Sequence, residues 1–273
     1  MRQYLDLLDD IMRNGVDRPD RTGVGTRAVF GRTMRFDLRD GFPAVTTKRL
    51  AFRQVKAELL WFIRGSSNVY ELHEQGTHIW DGNAFDARWV PRARFPGDAG
   101  RNYGQQWRDW VTADGRHIDQ LKEAIRLIRE QPYTRRIVVN AWNPGEIEHT
   151  CLPPCHAFFQ FFVANGRLSL AMYQRSADSF LGVPFNIAQY ALLLHMVAQV
   201  TGLEAGELFH VLADAHVYHS HFDSVRAQLA REPLPPPTLW LNPRVDDIDA
   251  FTMEDAKLVG YRSHPAIAAE MAV

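Results

Sequence analysis

Leu152-Pro-Pro-Cys155-His-Ala-Phe-Phe-Gln-Phe-Phe-Val-Ala164, Asn165-Gly166, Arg167-Leu-Ser-Leu-Ala-Met-Tyr-Gln-Arg175-Ser-Ala-Asp178 is the stretch that decides the fold. Two apolar, aromatic-rich runs flank Asn165-Gly166. Asn-Gly between such runs signals a two-residue hairpin turn, because both turn positions need φ > 0. With those two in the turn, Ala164 faces Arg167 and Cys155 falls opposite Ser176, beside Arg175. A bulge would slip that register. A thiol then starts one strand and a guanidinium ends the other. A fixed positive charge beside a thiol favours the thiolate, which is the nucleophile. A lone Cys in an apolar strand is ordinarily inert core. Here Pro153-Pro154 lead in, His156 follows, and Arg175, Ser176 and Asp178 lie across the turn. That company favours a nucleophile.

The rest of the composition is plain. The chain has 273 residues, 46% of them hydrophobic, enough to bury a sizeable core. It shows no linker, repeat or low-complexity tract, so residues 1–273 read as one domain of mixed strands and helices, class α+β. A net charge of −1 excludes indiscriminate nucleic-acid binding. The start carries no signal-peptide pattern, and no apolar run looks long enough to span a membrane. Two Cys, Cys151 and Cys155, make no disulfide framework, and the expected compartment is the cytoplasm.

Working outward, Tyr4, Leu5, Leu8, Ile11 and Met12 fall at helical spacing, ended by Asn14-Gly15. The stretch 17–26 reads as a loop in which Gly23 and Gly25 bring backbone close to a ligand and Arg21 can fork onto a phosphate. Residues 28–38 read as a strand. A helix over 52–64 buries Val55, Leu59, Leu60 and Phe62, with Glu58 among them. Such a carboxyl is either a structural partner or an acid–base group with a raised pKa. Residues 82–101 have no period and read as a long loop, and long loops in compact domains are often functional. Ile118, Leu121, Ile125 and Ile128 mark another helix, and residues 187–200 a helix apolar nearly all round, hence buried. If residues 212–221 are extended, Asp214, His216 and Tyr218 share one face, and His219 and His221 the other. That alternation argues against a three-His metal site.

Three stretches carry a resemblance: Pro153-Pro154-Cys155-His156-Ala157-Phe158-Phe159-Gln160-Phe161, then residues 174–188 from Gln174 through Asn186-Ile187-Ala188, and Asp20-Arg21-Thr22-Gly23-Val24-Gly25-Thr26. Together they resemble the folate-dependent thymidylate synthase family, over nearly the whole chain. The resemblance implies a twisted sheet at the back of a homodimer, with deoxyuridine 5′-monophosphate (dUMP) and 5,10-methylenetetrahydrofolate as substrates and no metal. It makes Cys155 the nucleophile at C6. Glu58 would manage water and protons at O4, and Tyr103 would help remove the C5 proton. His156, Asn186, Asp178 and Trp80 complete the catalytic set. Arg21, Arg175, Ser176 and, from the partner subunit's copy, Arg135 and Arg136 would hold the phosphate, and His216 and Tyr218 the 3′-hydroxyl. Lys48, Trp80, Asp178, Gly182, Phe185 and Ala272 would line the folate side, with the tail as a lid.

The chemistry explains these residue types. C5 of a pyrimidine is a poor nucleophile, and thiolate attack at C6 turns the ring into an enolate. The enolate needs donors at O4. A neutral amide at Asn186 offers a donor and an acceptor, which matches the O4/N3–H edge of uracil, whereas Asp would suit cytosine. The sequence departs from the family pattern at Ala213, at Ser220, around Gly82-Asn83 and in the tail. Those departures keep a second reading open: a dUMP hydroxymethylase that traps the exocyclic methylene with water. A third, from another class, is a non-catalytic nucleotide- or RNA-binding regulator.

Overall fold

The computed structural model describes residues 1–20 and 23–270. In chain order its elements are α1 (Arg2–Asn14), β1 (Val16–Arg18), β2 (Thr26–Asp37), α2 (Phe52–Ile63), α3 (Tyr70–Glu74), α4 (Asp81–Ala84), α5 (Tyr103–Arg108), β3 (Trp110–Val111), β4 (His117–Ile118), α6 (Gln120–Glu130), β5 (Val138–Asn140), β6 (His156–Ala164), β7 (Arg167–Asp178), α7 (Gly182–Thr201), β8 (Glu204–Tyr218), α8 (Phe222–Leu229), β9 (Thr238–Leu241) and β10 (Ala256–Val259). The fold is α+β. Six strands form one mixed sheet in the order β1-β2-β8-β7-β6-β5.

The β6–β7 hairpin turns at Asn165 (φ 52°) and Gly166 (φ 73°), as the Asn-Gly signal predicts. Along β6, Phe159, Phe161 and Val163 point into the core, while Phe158 and Phe162 point out. From the end of β7 the chain crosses through α7 and returns as β8, parallel to β7. All other pairs in the sheet are antiparallel. Helix α7 lies against β7, β8 and α2. It is buried nearly all round, with Ile187, Leu193, Leu194 and Val197 fully enclosed. By length and composition it is apolar enough to cross a membrane, contrary to the expectation that no run is, and 78% of its apolar window is buried inside the protein.

Three further expectations need correction. The 17–26 loop begins as strand, because β1 pairs Val16–Arg18 with Thr26–Ala28. Ile118 belongs to β4, and α6 starts at Gln120, where the Asp119 side chain accepts from Lys122 N–H at 2.9 Å. The 82–101 stretch is not a bare loop. It opens on α4, and the carboxylate of Asp98, fully buried, anchors the rest. Arg94 Nε and the Gly100 N–H donate to that carboxylate at 2.8 and 2.9 Å, and Trp89 Nε1 donates to the Asp98 carbonyl at 2.7 Å.

Candidate active site

Cys155 stands immediately before β6. A bulge between His156 and Phe158 slips the pairing by one, so His156 faces Gln174 and Cys155 faces Arg175 rather than Ser176. The Arg175 N–H donates to the Cys155 carbonyl at 2.8 Å. The Cys155 N–H donates to the phenol oxygen of Tyr103 at 2.7 Å. The Arg175 guanidinium folds back on the lead-in, with Nε on the Pro154 carbonyl at 2.7 Å and Nη2 on that of Pro153 at 2.8 Å. It also lies 4.9 Å from the centre of the Trp142 ring. The two prolines thus present carbonyls to a cation that the hairpin brings alongside. Neither Cys151 nor Cys155 is in a disulfide. Burial and the nearby Asp98 push the Cys151 thiol up to about 12, so it stays protonated at neutral pH.

Behind Cys155 the side chains form two polar chains in an aromatic wall. In the first, Trp80 Nε1 and Gln189 Nε2 donate to the two oxygens of Glu58 at 2.7 and 2.8 Å. Burial still pushes the Glu58 carboxyl above its ordinary range, against the pull of those two donors. In the second, Gln174 Nε2 donates to Asn186 Oδ1 at 3.0 Å, and Gln174 Oε1 meets buried His210 Nε2 at 2.7 Å. His156 packs between the rings of Tyr103 (5.0 Å) and Tyr190 (5.2 Å). Burial brings it down to about 4 against the opposing pull of nearby Asn186, so it is neutral at pH 7. Burial also holds the Tyr103 phenol well above its ordinary range.

The parallel pairing of β7 with β8 sets Ser176 beside Asp214 and Asp178 beside His216. Neither strand could reveal that from its own pattern. Asp214, His216 and Tyr218 are extended, as expected. His216 Nδ1 lies 3.0 Å from Asp214 Oδ1, Arg18 donates to Asp214 Oδ2 at 2.7 Å, and the His216 and Tyr218 rings meet edge-on at 5.4 Å. His219 and His221 do not continue the strand. They form a 3-10 turn, and their rings go apart, His219 to Asp17 at 3.2 Å and His221 to the Glu270 carbonyl at 2.7 Å. Arg135 and Arg136 are exposed before β5 and find no carboxylate among the described residues. Arg21 lies outside the described residues.

The family model described as thymidylate synthase matches residues 2–273. The chain belongs to the thymidylate synthase family. It is therefore an enzyme that transfers a one-carbon unit to a pyrimidine nucleotide, within nucleotide biosynthesis.

For a thymidylate synthase family member, the residues expected on the folate side are only partly gathered. Lys48 is buried, its ammonium 3.6 Å from the Phe180 ring centre and donating to the Phe180 carbonyl at 2.5 Å. Burial lowers it to about 8, with the Asp178 carboxylate opposing. Asp178 Oδ1 accepts from the N–H groups of Phe180 and Leu181, both at 3.1 Å, which shapes the turn into α7. Gly182 and Phe185 follow on the first turn of that helix. A Cβ at Gly182 would meet Asn186 Oδ1 and Asp178 Cβ at an ordinary 3.6 Å, so packing alone does not demand glycine there. The tail up to Glu270 is tied along α8, with the Ser224 hydroxyl on the Ala268 carbonyl at 3.4 Å, and reaches His221, whose ring packs on Phe180 at 5.4 Å. Ala272 lies outside the described residues. The one candidate metal group among the described residues is His73, His78 and Asp81, where each ring already reaches an Asp81 oxygen, at 2.7 and 2.9 Å.

Gln174, Gln189 and His210 were missed by the sequence reading. Each is a polar residue at a core position: Gln174 after Leu170 and Met172, His210 between Leu208 and Leu212, Gln189 inside the apolar helix. A polar side chain in a buried period was the signal, because such a group must find a partner there.

Proposed function

We propose that the protein converts dUMP to thymidylate by reductive methylation with 5,10-methylenetetrahydrofolate, releasing dihydrofolate. The observation that carries this reading is the setting of Cys155. Its backbone is fastened to Tyr103 and Arg175 at the mouth of a wall that holds Glu58 and Asn186. In this reading the Cys155 thiolate adds to C6. Asn186 and water held near Glu58 stabilise the charge that develops at O4. Tyr103 and Glu58 serve proton transfer at C5 and O4, and neutral His156 orients Asn186. Arg175 and Ser176, Arg21, and Arg135 and Arg136 from the partner subunit hold the phosphate. His216 and Tyr218 hold the sugar.

The folate, when bound, supplies the one-carbon unit and the hydride. The chain's residues suit it. Asp178 accepts hydrogen bonds, as the N–H edge of a pterin ring requires, and Lys48 offers a cation to a carboxylate. Trp80 is nearly buried and fastened to Glu58, so it helps exclude the water that would divert the reaction to hydroxymethylation. We propose further that the enzyme is a homodimer joined through the outer face of the sheet, where Phe158 (39% exposed) and Phe162 (65%) leave aromatic surface bare. Cysteines outside any disulfide suit a cytoplasmic setting.

Product analysis tests the reading. Purified protein with dUMP and methylenetetrahydrofolate should yield thymidylate and dihydrofolate in equal amounts. Hydroxymethyldeoxyuridylate with tetrahydrofolate would make it a hydroxymethylase. Unchanged nucleotide that still binds would favour the regulator.

A further inference from the structure

Both oxygens of Glu58 are engaged by side chains, and one of the two has no part in the function proposed above. Trp80 Nε1 takes Oε1 at 2.7 Å, and Gln189 Nε2 takes Oε2 at 2.8 Å. Gln189 lies on α7 between Ala188 and Tyr190 and is 1% exposed. Its carbonyl oxygen is buried with no partner among the described residues. Burying an amide with its acceptor unmet is unfavourable, and an apolar side chain of the same length would suit the helix core better. Among the described residues the amide's one bond is to Glu58.

We propose that Gln189 is a positioning residue that holds the Glu58 carboxyl in place and in its ionised form, ready to take a proton during turnover. The inference rests on the function proposed above. A carboxylate only accepts hydrogen bonds, so an N–H on each oxygen favours the charged state and fixes the plane of the group. Burial acts the other way and raises Glu58. The titratable groups facing this pocket cannot replace the lost donor with a charge. Tyr190 on α7 feels Glu58 and is raised by burial. Tyr103 on α5 stands across Trp80, ring centres 6.2 Å apart, and is raised as well. His156 on β6, beyond Tyr190, is neutral at pH 7. Among the described residues no cation pairs with Glu58.

The test is a titration joined to a double-mutant cycle. Gln189→Met keeps length and apolar volume but removes the N–H, and Gln189→Leu serves if the Met variant does not fold. Glutamate labelled with 13C at the side-chain carboxyl is followed by NMR across pH, with Glu58 assigned by its absence in Glu58→Gln. The Glu58 midpoint should rise by about one pH unit in Gln189→Met. kcat with dUMP should fall about tenfold, KM for the nucleotide should stay within about threefold, and the acid limb of the rate profile should move up with the midpoint. In the Glu58→Gln background the same substitution should cause almost no further loss. An unmoved midpoint overturns the proposal, as does a loss that multiplies unchanged onto Glu58→Gln, which would leave Gln189 as packing. The midpoint is read without turnover. A wild type that makes no product therefore counts against the proposed function, while the midpoint still judges Gln189.

Discussion

Two bonds that set the position of Cys155 use its backbone N–H and carbonyl, and a substitution of the thiol keeps both. Cys155→Ser should lower turnover at least about a thousandfold while nucleotide binding, measured by calorimetry, changes only a few-fold. Cys151 provides an internal control. At about 12 its thiol is protonated at pH 8, so alkylation there should label Cys155 first, and bound nucleotide should block it. Lys48 gives a pH dependence of definite sign. It is cationic below about 8 and neutral above, so KM for the folate should rise as pH passes through about 8. Lys48→Met should flatten that rise, as steady-state kinetics between pH 6.5 and 9.5 will check.

At the scale of elements, the segment between α4 and α5 is held by a carboxylate as well as by the buried side chains of Trp89 and Ala99. Burial raises Asp98, but Arg94, Ser67 and the N–H groups of Gly100 and Arg94 outweigh it and bring it to about 2. Its folded pKa is below the ordinary 3.8, so its contribution is fully present above about pH 4 and is lost as pH falls towards 2. Asp98→Asn should therefore lower stability by roughly 1–3 kcal/mol at pH 7, and the gap should narrow between pH 4 and 3 in urea titrations. Helices α1, α2, α6 and α7 and the Asn165-Gly166 hairpin were legible because each is written in a local period or turn pair, whereas the short α3, α4, α5 and α8 carry too few residues to show a period. The bulge at His156 and Phe158 was not, since it is set by how Tyr103 and Arg175 hold Cys155, contacts far apart in sequence.

For the whole molecule, the sheet has α7 on one face and exposed aromatic residues on the other. Phe162→Glu should turn a dimer into monomers in light scattering and lower activity with it. If Arg135 and Arg136 serve the partner's site, two inactive homodimers should complement each other. Mixing Cys155→Ala with the Arg135→Glu/Arg136→Glu double variant, after unfolding and refolding together, creates heterodimers with one whole site. Activity should reappear in the mixture, and no recovery would mean that each subunit holds its own phosphate.

The hairpin, the buried helix α7, the strand bearing Asp214, His216 and Tyr218, and the residue types of a thiol-based pyrimidine chemistry are all written locally in the chain. These follow from periods of two and 3.6 and from the demands of a thiolate, a carboxyl and an amide. Which residues meet is settled by long-range pairing and packing. The parallel pairing of β7 with β8 puts Ser176 beside Asp214, the slipped register puts Cys155 opposite Arg175, and α7 brings Gln189 to Glu58 from 131 positions away. A local pattern says which face is buried. It does not say which partner a buried polar group finds there, because that depends on the closure of the whole chain.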